Sequence, residues 1–260
     1  MRNQQGYVEL NNYSLYYETY GKGFPILLIH GTMGSAKFMN HAATWELGNW
    51  LVDLGFQGVT FDQYGFGNST HITDFGVDYF SRNTDDAIAL MDHLKISEAV
   101  VIGVGEGATV ALNLAIRYPE RIEAVVADSA GYMFTEEMLE AEEDPDNAIG
   151  ESWQQLMIEA HGQNYASLLL EARKRLLSLL VKEKIDLFQG RLGEIKCPTL
   201  LTACTGDVYR LNRQAKEIGA SIPGAVVKIF RGGEHPVMWT MTEQFSDILK
   251  DFLIGMLKSK

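Results

Sequence analysis

The run Val101-Ile102-Gly103-Val104-Gly105-Glu106-Gly107-Ala108 reads as a buried strand that turns sharply into a helix. Such a turn ties the chain to a fold of strands and helices and lifts its apical residue above the end of the strand. In a G-x-S-x-G elbow the apical residue is held in a strained conformation between small neighbours, so that its side chain stands exposed. Both flanking glycines are present here, but the apex is Gly105. Glycine brings neither oxygen nor sulfur, so no acyl-enzyme can form there by the ordinary serine route.

G-x-G-x-G also occurs in phosphate-cradling turns and in loops that need positive φ. A dinucleotide fingerprint normally lies in the first strand-helix unit, with an acidic residue roughly twenty positions later at the end of a second strand. This triplet lies well down the chain, and the acidic residues near it fall in helical stretches. A nucleotide cofactor is not expected, whereas a purely structural glycine turn is an alternative that more distant segments must decide.

Two such segments matter. Thr199-Leu200-Leu201-Thr202-Ala203-Cys204 reads as a buried strand followed by Thr205-Gly206-Asp207, which places an aspartate in the loop at its C-terminal end. After one helix and a strand from Val226 to Phe230 comes Arg231-Gly232-Gly233-Glu234-His235-Pro236, a glycine-rich turn presenting a histidine. Nucleophile position, acid and histidine follow in the chain order of one large fold family.

Further motifs agree. Ile26-Leu27-Leu28-Ile29-His30-Gly31-Thr32-Met33-Gly34-Ser35 has the form of an early strand and oxyanion loop, and Phe61-Asp62-Gln63-Tyr64-Gly65-Phe66-Gly67-Asn68-Ser69 that of D-x-R-G-x-G-x-S, with Tyr64 where arginine is usual. Arg117-Tyr118-Pro119-Glu120-Arg121-Ile122 and Val125-Val126-Ala127-Asp128 match the helix end and strand after the elbow. Over essentially its whole length the chain resembles the α/β-hydrolases. The fold this implies is a doubly wound, mostly parallel, eight-stranded-type sheet, with residues 1–130 and 195–260 as the core and 131–194 as an inserted helical cap. Within the family the chain is similar to the valacyclovir-hydrolase-like esterases, through the x-G-x-M-G-S loop, the acidic residue after the elbow and Asp128-Ser129-Ala130-Gly131-Tyr132.

Carried over residue by residue, the resemblance makes His235 the general base, Asp207 its orienting partner, and the backbone N–H groups of Thr32 and Glu106 the oxyanion hole. Gly105 is then the vacant nucleophile position. In the resembling branch the carboxylate after the nucleophile recognises a substrate amino group, and Glu106 is its positional match, one methylene longer. Glu106 also suits a helix amino terminus, an effect of roughly 0.3 to 1 kcal/mol. The bland alternatives are a loop histidine satisfied by local carbonyls at His235 and a turn-forming aspartate after Gly206. Ser35, Ser69 and Ser129 lie near the site in the family fold but not at the elbow.

Four functions fit a triad without its nucleophile: a serine esterase or amidase whose serine has been replaced; a non-catalytic binding or regulatory protein; direct hydrolysis by a water that His235 activates; and a lyase or cyclase using His235 as base. The N-myc downstream-regulated family is similar in carrying glycine at this turn. The expected partner is a small-molecule ester or amide substrate or a ligand under the cap, with a protein partner also open for the binding alternative.

At 260 residues the chain is long enough for one large domain with a well-buried core. Its net charge of -12 argues against nucleic acid and anionic membrane as partners. The amino terminus has no apolar core of signal-peptide length and no apolar run reaches about eighteen residues, so a cytoplasmic protein is expected. Cys197 and Cys204 stand at opposite ends of one strand, about 23 Å apart if extended, and are expected to be reduced. His30, His41, His71, His93 and His161 are scattered singly, without metal-ligand spacing, and neither metal nor cofactor is expected.

Tyr7 to Leu10 and Leu15 to Tyr20 flank Asn11-Asn12 as a hairpin, and strands at Ile26–His30, Val59–Asp62, Ala99–Val104, Ala124–Asp128, Thr199–Cys204 and Val226–Phe230 alternate with helical stretches. Helices are expected at Asp78–Leu94, Gly107–Tyr118 and Thr240–Leu257, with an acidic linker at Glu136–Asp146. Leu156, Ile158, Leu168, Leu169, Leu176, Leu177, Leu179, Leu180 and Leu187 offer apolar surface for cap packing or substrate contact.

Overall fold

A computed structural model describes residues 2–143 and 151–258. Eight strands form one sheet: β1 (Arg2–Leu10), β2 (Tyr13–Tyr20), β3 (Phe24–Ile29), β4 (Phe56–Phe61), β5 (Ala99–Val104), β6 (Ile122–Asp128), β7 (Thr199–Cys204) and β8 (Val226–Phe230). Their spatial order is β1-β2-β4-β3-β5-β6-β7-β8. The β1–β2 hairpin turns at Asn11, whose φ is positive, and β2 pairs antiparallel with β4; every later pairing is parallel. The doubly wound, mostly parallel sheet expected from the alternating pattern is therefore the one formed.

The central strands explain the apolar runs. In β5 all six residues are buried, as a parallel strand covered on both faces requires. Successive residues divide between two cores: Leu27, Ile29, Val101, Val125 and Leu201 pack on one face, and Ile26, Leu28, Val100, Ile102 and Leu200 on the other. Helices α2 (Tyr79–His93) and α3 (Glu106–Arg117) cover the first face. Helix α1 (Leu47–Asp53) lies over the second.

Between β6 and β7 come three helices: α4 (Glu136–Glu143), α5 (Glu151–His161) and α6 (Gln163–Lys182). The first eight residues of the expected acidic linker are thus helix α4, and residues 144–146 lie outside the described residues. Of the leucines read as an apolar surface, Leu156, Leu169, Leu176, Leu177 and Leu180 are buried and Leu187 is half-buried, whereas Ile158, Leu168 and Leu179 are exposed. The insertion packs on the loops at the C-terminal ends of the strands. Trp153 stacks edge-on against Phe38 and tilts against Trp239, with ring centroids 5.0 and 5.1 Å apart.

After β7 the chain runs through α7 (Leu211–Ser221), β8, the four-residue α8 (Val237–Thr240) and α9 (Thr242–Lys258), which packs beside α1. The single closing helix expected from Thr240 onward is broken at Met241, because the Thr240 hydroxyl donates back to the Glu234 and Pro236 carbonyls and the Thr242 hydroxyl to Met238. Such side-chain bonds compete with the helical ladder. Both thiols are free, Cys204 buried and Cys197 half-buried, and burial pushes each up to about 11. No described helix is long and apolar enough to cross a membrane, and no group of three metal-ligating side chains occurs among the described residues.

Candidate active site

Gly105 ends β5 and caps α3 with φ 58° and ψ −122°, a conformation L side chains rarely adopt. The three glycines of this turn differ in kind. A side chain at Gly103 would run into the backbone of Gly107, and one at Gly107 into the carbonyls of Ile29 and His30. At Gly105 there is room: a Cβ would lie 3.6 Å from His235 Nε2 and 3.9 Å from the Gly31 Cα. A side chain at the apex would therefore meet the His235 ring at ordinary contact distance, and the glycine relieves backbone strain rather than steric crowding.

His235 stands in the loop between β8 and α8, its side chain a quarter exposed. Its Nδ1 lies 3.1 Å from Asp207 Oδ2. The Asp207 carboxylate is fully buried, and its other oxygen accepts the Tyr209 N–H at 2.8 Å. Tyr209 also meets the imidazole edge-on, with ring centroids 5.2 Å apart. The two loops approach so closely that a side chain at Gly206 would strike the Gly233 carbonyl. Glycine before the aspartate thus sets the distance between acid and histidine.

Asp128 closes the same corner from below. Its carbonyl accepts the Gly105 N–H at 2.8 Å, while its carboxyl accepts the Thr202 hydroxyl and the Met238 N–H at 2.7 and 3.0 Å. Burial pushes this carboxyl up to about 6 against the opposing pull of those two donors. Asp62, of the D-x-Y-G-x-G-x-S segment, is likewise pushed up to about 6 by burial while accepting the Asn68 and Ala36 N–H groups, and so ties that segment to the oxyanion loop. For both groups the folded pKa lies above the unfolded value of about 3.9, so the native state binds more protons between those limits. Their contribution to stability is then greatest below pH 4 and is lost as pH rises through 6. Relative to the parent chain, Asp128→Asn is expected to gain stability as pH rises from 4 to 6; a constant difference in urea midpoint would contradict this.

The loop read from the sequence as an oxyanion loop follows β3. Gly31 to Gly34 close a turn through a Gly34 N–H to Gly31 carbonyl bond of 3.1 Å, with Met33 at φ 58°. His30 is fully buried, accepts the Gln63 N–H at its Nε2, and burial pushes it down to about 3, so it holds this loop as a neutral ring. Among the described residues neither the Thr32 nor the Glu106 backbone N–H has a protein acceptor. Two such donors, on loops that meet where Gly31 approaches residue 105, could stabilise a developing oxyanion.

Glu106 is not alone. Arg173 of α6 donates from Nε and Nη2 to Glu106 Oε1 at 3.2 and 3.1 Å and from Nη1 to both oxygens of Glu142 at 2.6 Å. Burial works against the guanidinium charge, but the two carboxylates overcome it and hold the group above its ordinary value. Arg173→Ala would leave two partly buried carboxylates facing each other, an expected loss of about 3 kcal/mol in urea unfolding. The Tyr79 hydroxyl lies in the field of the same pair, buried and without a hydrogen-bond partner among the described residues.

The structure thus brings Gly105, His235, Asp207 and Glu106 to one corner, with the Thr32 turn beside them. Arg173, Tyr209 and His161 were not legible as site residues, because an arginine in a leucine-rich helix, an aromatic in a loop and a lone histidine carry no local motif. Of the remaining serines, Ser69 donates to the Asp62 carbonyl and accepts the Tyr16 N–H, while the Ser129 N–H extends the sheet ladder to Thr202.

The model of the alpha/beta hydrolase fold family matches residues 25–187. The chain belongs to the alpha/beta hydrolase fold family. It is 25% identical to human serine hydrolase BPHL over 95% of this chain and 85% of that one. An epoxide hydrolase from Caballeronia sordidicola is 32% identical but matched over only 48% of this chain and 37% of its own. Among solved structures, a carboxylesterase from the thaumarchaeon Nitrososphaera gargenis superposes with a TM-score of 0.78 at 17% identity, covering 98% of this chain and all of that one. A serine hydrolase from Cycloclasticus zankles gives 0.76 at 23% identity, covering 97% and 98%. These likenesses to solved structures concern the fold.

Proposed function

We propose that this protein is a member of the carboxylic-ester or amide hydrolase lineage in which the His235–Asp207 pair and the oxyanion turn are kept and the nucleophile position is Gly105. The observation that carries the reading is geometric: a Cβ at residue 105 would stand 3.6 Å from His235 Nε2, whose Nδ1 is 3.1 Å from Asp207. That is the relation in which an imidazole takes a proton from an apical hydroxyl. With glycine there, covalent acyl transfer through residue 105 is closed. The helices of residues 131–194 act as a cap, and a small ester or amide binds beneath it. Glu106 shares its carboxylate with Arg173, so a substrate amine would compete with the guanidinium.

A second reading has one specific support: glycine at 105 omits a hydroxymethyl whose Cβ would fit 3.6 Å from His235 Nε2. A water there would be within reach of the imidazole, which would remove its proton as the oxygen attacks a reactive carbonyl. Rates of p-nitrophenyl and amino-acid ester hydrolysis by the chain, by Gly105→Ser and by each with His235→Ala distinguish the two. Activity gained only with serine supports the first reading; equal, His235-dependent activity in both supports the second, and silence in both folded proteins removes both. A net charge of -12 supports a partner that is neither nucleic acid nor anionic membrane, and a place in the cytoplasm.

A further inference from the structure

His161, at the end of α5, is 6% exposed and, among the described residues, bonds only to backbone groups of two loops from the hydrolase core. Its Nδ1 accepts the Gly67 N–H at 3.0 Å, and its Nε2 lies 2.9 Å from the Met33 carbonyl. Together these bonds fix the tautomer: Nδ1 must be bare to accept, so Nε2 carries the proton and donates to Met33. The ring also packs edge-on against Phe66, with centroids 5.9 Å apart. Burial pushes the ring below its ordinary value and keeps it neutral, as accepting from Gly67 requires.

Met33 is the residue of the oxyanion turn with positive φ, and its neighbour Thr32 presents one of the two unpaired N–H groups. We propose that His161 is a positioning residue that holds the Gly31–Gly34 turn, and with it the Thr32 N–H, in place from the inserted helices. The inserted segment thereby completes the core's oxyanion site instead of merely covering it. Tyr165, four residues on, repeats the device on the neighbouring loop: its hydroxyl donates to the Gly65 carbonyl and accepts the Ile72 N–H, both at 2.8 Å. The two contacts of His161 differ in consequence, because only the bond to Met33 reaches the oxyanion turn.

The role of the turn as an oxyanion site rests on the hydrolase reading above, but the placement of the turn does not. Three substitutions separate the contacts. In His161→Gln the amide nitrogen can take the place of Nε2 and donate to Met33; in His161→Asn the shorter amide can accept only from Gly67; His161→Ala does neither. In the unaltered Gly105 background, amide hydrogen exchange and chemical shifts of Thr32, Met33 and Gly34 are expected to change in the Asn and Ala variants and to stay near the parent values in Gln. In the Gly105→Ser background, kcat for p-nitrophenyl esters is expected to fall about 10- to 100-fold in Asn and Ala, with KM within about twofold and Gln substantially restored. Unmoved Thr32–Gly34 amides in a folded His161→Ala chain would overturn the proposal. So would a kcat loss that is equal in Gln and Ala. The amide measurements need no turnover, so an inert Gly105→Ser chain would count against the hydrolase reading and leave this test to be decided by exchange alone.

Discussion

Gly105→Ser is expected to give the chain an ester-hydrolase activity at least about a hundredfold above its own background. The backbone is already at φ 58° and ψ −122°, and the space above it is clear to 3.6 Å, so the serine Oγ would stand against His235 Nε2 without displacing a neighbour. The hydroxyl supplies the one missing element. On the proposed reading the aspartate, imidazole and N–H donors are already supplied, and the base would take the hydroxyl proton as the oxygen attacks the carbonyl. The same change should lower stability by about 1 to 3 kcal/mol, because a residue with a Cβ bears the strain that glycine escapes. Gly105→Ala separates the two effects: it carries the strain but cannot form an acyl-enzyme. Equal urea midpoints for Gly105→Ser and Gly105→Ala, both below the parent, are the expected pattern.

His235→Ala in the Gly105→Ser background is expected to remove that gain, by as much as the order of a millionfold if the three groups act as a unit. The loss should fall on kcat, because His235 is a quarter exposed and its contacts are to Asp207 and the Tyr209 ring rather than to the core. Asp207→Asn should cost less, since it leaves the imidazole in place while weakening its orientation. A Gly105→Ser chain that keeps its activity without His235 would place the base elsewhere and undo the account of this corner.

The sheet was legible because the central strands bury both faces: runs such as Ala99–Val104 admit no other reading between glycine-rich turns. The edges were less so. β1 extends back to Arg2, since an edge strand alternates with solvent and leaves only a weak apolar signal. The break between α8 and α9 depends on hydroxyls of Thr240 and Thr242 turning back to the backbone, which periodicity does not reveal. In the candidate site, the meeting of His235 and Asp207 was legible from their order along the chain and the family resemblance, and Gly206 lets the two loops approach. The partners of Glu106, and the hold of His161 on Met33, arise from helices that are distant in sequence. Partners 67 or more positions apart leave no local trace: Arg173 meets Glu106 at a separation of 67 and His161 meets Met33 at 128.

The central claim is that this chain holds a working hydrolase corner lacking only its nucleophile. Its most direct test is intact-mass measurement after exposure to a fluorophosphonate, which labels a serine only when base and oxyanion donors activate it. The account predicts no adduct on the parent chain, one adduct per chain at residue 105 in Gly105→Ser, and loss of that adduct when His235→Ala is added. A folded Gly105→Ser chain that stays unlabelled would contradict it.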